Sequence, residues 1–197
     1  MKRGLLLAFV MLAAVSSGGS TAATQRTVVL KIGDAVDVAG TKVACFAMTS
    51  SGKNGMACLL WGNGKPLVQT YGVGLAVDGT AVVKKIKADG SSTDIFKRRL
   101  KRASKVYRLG VGNTFGFAIN QRVALGCRVL NITNRSLAPV YRGVKVSCWR
   151  ATATKPLPHT YGISISNKFA GVFAFDAKSR VGKDAIVKRQ PAPPAAG

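Results

Sequence analysis

After about position 24 the chain alternates apolar and polar residues in short runs broken by Gly, Asn and Asp, the pattern of half-buried strands. In the first half the spacing predicts strands over 27–31, 42–48, 55–61 and 71–77. In the second half it predicts them over 115–119, 122–132, 140–150, 161–166 and 169–175. Turn residues punctuate these runs at Gly33-Asp34, Gly52-Lys53-Asn54-Gly55 and Gly62-Asn63-Gly64. Asp78-Gly79, set between Leu75-Ala76-Val77 and Thr80-Ala81-Val82, predicts a hairpin with a two-residue turn. Long helical patterns are absent. One segment, 94–107, also reads as a basic amphipathic helix, because Phe96, Leu100, Ala103 and Tyr107 fall at helical spacing among basic residues.

The chain repeats itself. Sliding the sequence so that Cys58 meets Cys148 also superposes Lys65-Pro66-Leu67 on Lys155-Pro156-Leu157 and Thr70-Tyr71-Gly72 on Thr160-Tyr161-Gly162. Without a gap the match continues through Val73 with Ile163, Leu75 with Ile165, Val82 with Val172, and Arg98-Arg99 with Lys188-Arg189. Upstream one gap aligns Val43-Ala44-Cys45 with Val123-Ala124-Leu125-Gly126-Cys127. Fixed spacing over so long a stretch marks a duplicated unit. Because 94–99 aligns with 184–189, both units are expected to end on a strand, which favours strand plus basic linker over the helix.

The expected fold is therefore all-β: two tandem, internally duplicated small β-sandwich or barrel modules, each with one intramodule disulfide. One continuous sandwich is the second arrangement. The expected divisions are a signal peptide over 1–23, a first module over 24–99, a basic linker over 100–105, a second module over 106–189 and a disordered Pro/Ala tail over 190–197. If the copies fold alike, Cys45 bonds Cys58 and Cys127 bonds Cys148, each bridge stabilising by about 3 kcal/mol through loop closure. A zinc site fails on spacing, since no C-x₂₋₄-C pair exists and a single histidine cannot complete a ligand set.

The first residues carry the layout of an export signal. Lys2 and Arg3 precede an apolar run over 5–15 and a small-residue segment ending at Thr21-Ala22-Ala23. The run is shorter than the roughly 20 residues that span a bilayer; a retained anchor is the alternative. Export agrees with paired cysteines, which persist in oxidising compartments. The expected location is secreted, periplasmic or at the cell surface.

Charge changes the picture most. Thirty Lys and Arg face seven acids, for a net charge of +23, and all seven acids are Asp. Such an imbalance favours an anionic polymer or surface as partner, such as a cell-wall polymer, an acidic glycan or nucleic acid; plain solubility is the bland alternative. The expected contacts are Lys97, Arg98, Arg99, Lys101, Arg102, Lys105 and Arg108 around the linker, with Arg128, Arg142 and Arg150 in the second module. A second possibility is a protein partner recognised by the segments inside the disulfides, 46–57 and 128–147.

Signals for catalysis are weak. Asp34 and Asp37 lie beside a Gly turn, where Asp ordinarily shapes the chain. His159 lacks a nucleophile elbow, and the Gly72-Val73-Gly74 and Gly110-Val111-Gly112 pieces lack the rest of a phosphate-binding fingerprint. The recurrent Lys-Pro-Leu…Thr-Tyr-Gly element reads as a Pro-led turn into a strand whose tyrosine anchors the core. The expectation is a non-enzymatic binding protein with no cofactor and no metal.

Overall fold

The computed structural model describes residues 25–50, 52–92, 103–118, 124–131, 143, 145–151, 157, 160–175 and 183–191. Among these residues the protein is all-β, with fourteen strands in two sheets and one disulfide in each half. Strands β1 (Thr27–Val29), β9 (Thr114–Ala118), β10 (Ala124–Val129), β11 (Val146–Ala151), β12 (Thr160–Ile165), β13 (Phe169–Phe175) and β14 (Lys183–Arg189) lie in that order in sheet A. Sheet B runs β7 (Ala81–Lys85), β6 (Tyr71–Ala76), β4 (Lys53–Gly62), β3 (Val43–Ser50), β2 (Ala35–Val38) and β8 (Val106–Leu109), with the short β5 (Lys65–Pro66) beside β4.

Both disulfides join residues directly opposite in antiparallel ladders. Cys45 faces Cys58 across β3 and β4, and Cys127 faces Cys148 across β10 and β11, each with Cα atoms 4.0 Å apart. All four cysteines are buried in one apolar cluster that also takes Val36, Val73 and Leu75 from sheet B and Phe115, Leu125, Ile163, Ile165 and Val172 from sheet A. Inside that cluster β12 and β13 face β6 and β7. The two modules thus share a core, each supplying the inner face of one sheet. A smaller cluster of Ala35, Ala44, Phe46, Ala57, Leu59 and Ile86 covers the outer face of sheet B, where the Phe46 and Trp61 rings lie 5.0 Å apart.

The edge next to each module's first long strand is exchanged. β1, from the beginning of the chain, pairs in parallel with β9 of sheet A, and β8 pairs in parallel with β2 of sheet B. The exchange is reciprocal to the residue. Shifting the chain so that Val106 falls on Thr27 puts Thr114 on Ala35, and the registers are Thr27 with Thr114 and Ala35 with Val106. The backbone bonds follow suit: Ala35 donates to the Lys105 carbonyl and Thr114 to the Arg26 carbonyl, at 2.8 and 2.9 Å. Two copies of one unit are therefore related by a local two-fold, and each lends a strand to the other.

Several elements differ from the sequence reading. β2 and β8 are strands where the alternation is too short, and too interrupted by Asp37 and Arg108, to register. The strand over Val106–Leu109 occupies the end of the segment that also matched a helix, whose residues 93–102 lie outside those described. The Asp78-Gly79 hairpin forms, but its loop has three residues. Ala76 N–H bonds the Thr80 carbonyl, and Gly79 takes φ 93°, the left-handed position that follows a type I turn in such loops.

Candidate anion-binding surfaces

Of the sequence-selected cations, the four that are described, Lys105, Arg108, Arg128 and Arg150, are divided between the two sheets. Lys97, Arg98, Arg99, Lys101, Arg102 and Arg142 lie outside the described residues, as does His159. Lys105 precedes β8 and holds its ammonium 4.8 Å from the centre of the Tyr107 ring, a cation–π contact. Arg108 is exposed on β8, in register with Asp37 of β2. Arg128 and Arg150 stand on opposite faces of sheet A. Arg150 follows the core-facing Cys148 by two positions and reaches the Gly79 turn of sheet B, where its guanidinium would lie 3.2 Å from a Cβ at Gly79. That contact makes Arg150 a bridge between sheets.

Backbone contacts bring the segments carrying a different set of cations to the side of the sandwich where β7 and β14 end. Buried Gln190, just past β14, accepts the Tyr71 N–H on Oε1 at 2.8 Å and donates Nε2 to the Tyr71 carbonyl at 2.9 Å. Lys85 is the ladder partner of Tyr71, the Lys168 carbonyl accepts the Gln190 N–H, and Arg189 adjoins Gln190. Lys87 and Lys188 lie two residues from these contacts. All five of Lys85, Lys87, Lys168, Lys188 and Arg189 are exposed. They come from separate strands, so no run in the sequence marked them. The available hint was that Lys188-Arg189 closes the repeat.

Described acids do little to offset this charge. Between described residues one ion pair forms, Lys53 with Asp78 across the two hairpins of sheet B. The Lys53 hydrogen bond, with a further bond from the Thr80 N–H, holds the Asp78 carboxyl well below the usual carboxylate range. Asp89 is lowered by hydrogen bonds from Ser91 within its turn, next to Lys87. Asp34 is buried and accepts the Lys31 N–H at 2.9 Å, so it shapes the turn into β2, while Asp37 stays exposed. The segment 46–57 is mostly ladder, since β3 and β4 pair from Val43 with Leu60 out to Ser50 with Lys53.

The outer face of sheet A carries a second polar feature. In register across five strands lie Thr27, Thr114, Arg128, Ser147 and Ser164. The Thr27 and Thr114 hydroxyls are 2.7 Å apart, the Ser147 and Ser164 hydroxyls are also hydrogen-bonded, and Arg128 stands between the two pairs. Arg128 is half-buried, and its Nε is buried with no hydrogen-bond partner in the protein. Trp149, also half-buried, lies on the same face one row along, flanked in register by Gly126 and Gly162.

No protein-family model matches this chain, and neither a curated protein nor a solved structure is detectably similar to it. Any functional reading rests on the residues themselves. The bonded cysteine pairs fit an oxidising, extracellular or periplasmic compartment.

Proposed function

We propose that this is an exported, non-enzymatic binding protein for anionic polymers or surfaces: a cell-wall polymer, an acidic glycan or nucleic acid. The observation that carries the reading is the cluster of Lys85, Lys87, Lys168, Lys188 and Arg189 around the Gln190–Tyr71 junction. Exposed ammonium and guanidinium groups carried by three strand ends on one side of the sandwich suit a repeating array of negative charges. Such an array gains by releasing its counterions, so binding weakens steeply with salt. Like charges held this close also cost stability, and a binding role offsets that cost in the complex. The export signal at 1–23 and the basic linker belong to the same reading, the linker as an additional contact.

The test is retention on immobilised heparin and on duplex DNA as a function of salt. The protein should elute at high salt, and reversing Lys85, Lys168, Lys188 and Arg189 to Glu should move elution to markedly lower salt. Unchanged elution of that variant, with loss on reversing Lys97, Arg98, Arg99, Lys101 and Arg102, would move the site to the linker. Binding that survives high salt would favour a protein partner instead.

A further inference from the structure

The duplication supplies an internal control for the outer face of sheet A. Relative to the disulfides, the row Thr27, Thr114, Arg128, Ser147, Ser164 corresponds position by position to Val106, Ala35, Phe46, Ala57, Gly74 in sheet B. In sheet B, Ala35, Phe46 and Ala57 of that row help form the small apolar cluster that covers the face. The fold therefore accepts an apolar row at these positions. In sheet A every position has become polar, and the central phenylalanine has become arginine.

The chemistry of the row is that of a donor array. When two hydroxyls hydrogen-bond to each other, one proton is used between them and the other remains free to donate. In each pair either oxygen can be the donor, and the two pairs flank a guanidinium whose Nε has no acceptor among the described residues. Donors facing one way, with a fixed positive charge at their centre, are complementary to an oxyanion, and the planar fork of arginine suits carboxylate, sulfate and phosphate alike. Thr27 is exposed and Arg128 and Ser147 are half-buried, whereas Thr114 is buried. A shallow, largely apolar crevice with room for about one water molecule adjoins the Thr27 end of the row.

We propose that Arg128, with the Ser147 hydroxyl beside it, forms a discrete site for a single oxyanion group on the outer face of sheet A. This site is separate from the lysine-rich rim and recognises one carboxylate, sulfate or phosphate by directed hydrogen bonds. The rim, by contrast, answers to charge density.

Isothermal titration of the full chain with sodium glucuronate, sodium sulfate and inorganic phosphate, at ionic strength held constant with chloride, tests this. At least one probe should bind saturably with one site per chain, and the strongest identifies the source of the group. Arg128→Leu should abolish that binding, Arg128→Lys should weaken it about tenfold by losing the fork, and Ser147→Ala should weaken it a few-fold. If Arg128→Leu fails to fold, the Arg128→Lys and Ser147→Ala variants decide. Absence of saturable binding by all three probes, or equal binding by the Arg128 variants, overturns the site. The rim variant with Lys85, Lys168, Lys188 and Arg189 reversed should keep this binding while losing retention on heparin, so the two proposals fail separately.

Discussion

Gln190 and Tyr71 are joined by two hydrogen bonds, one to the backbone N–H and one to the carbonyl, which tie the end of sheet A to the beginning of a strand in sheet B. The two residues are 119 positions apart. The side-chain amide does what a neighbouring strand would do, satisfying both backbone polar groups of Tyr71, which lies beyond the end of the β4 pairing, with one donor and one acceptor. The backbones that carry the proposed rim cations meet at this latch, so on that proposal it matters for binding as well as for stability.

Removing the latch should be costly. Gln190→Ala leaves the Tyr71 backbone pair without its partner and should destabilise by about 1–3 kcal/mol, read by urea denaturation. Gln190→Glu should be tolerated better at acidic than at neutral pH. A neutral carboxyl can still donate to the Tyr71 carbonyl, whereas the ionised form cannot. Burial raises the folded-state pKa of such a carboxyl above its unfolded value. The stability of the variant should therefore be highest below the unfolded value and fall as pH rises through the folded one.

Non-reducing mass mapping should return only the Cys45–Cys58 and Cys127–Cys148 peptides. Replacing either pair by serine should lower stability by about 2–4 kcal/mol. The two losses should be similar, because each bridge occupies the same place in its module.

Gly116 lies where β9 meets β10, and a Cβ there would come 1.9 Å from the Leu125 carbonyl oxygen. Neither backbone can move without breaking the ladder, so Gly116→Ala should destabilise by at least about 3 kcal/mol, in the range reserved for severe steric conflict. Thermal denaturation checks it. Gly40→Ala serves for comparison, since a Cβ there meets no atom within 4 Å and only its positive φ is at stake.

The Lys53–Asp78 pair predicts a pH signature. Because the folded Asp78 pKa is depressed, the contribution of the pair is present above the unfolded carboxylate value and is lost as pH falls through the folded one. The pair is solvent-accessible, so its worth is about 0–1 kcal/mol. Asp78→Asn should lower the thermal midpoint slightly at pH 7, and the difference should shrink in strong acid and in high salt.

Much of the architecture was legible because its signals are local. Strand periodicity identified β1, β3, β4, β6, β9, β10, β11, β12 and β13, with ends shifted by several residues. The repeat gave β14 and the disulfide pairing, since a duplicated unit must place its cysteines alike. β2 and β8 escaped notice: each is four residues long, and each is stabilised by the other rather than by a pattern of its own. The candidate sites were less legible still. Runs of basic residues pointed to 97–102, whereas Lys85, Lys168 and Arg189 stand in three separate stretches whose backbones are linked through the Gln190–Tyr71 latch. Arg128 was selected for its charge. That it stands among hydroxyls, where its counterpart Phe46 stands among alanines, depends on cross-strand register.

By itself the sequence determined the all-β class, the duplication and which cysteines pair, because alternation, turn residues and repeated spacing act over a few neighbouring positions. Tertiary structure alone decided that the modules share one core, that β1 and β8 change places, and which polar side chains lie in one row. Those outcomes depend on which distant strand edges and apolar faces bury most surface together. Contacts between residues some eighty positions apart leave no periodic trace in either segment.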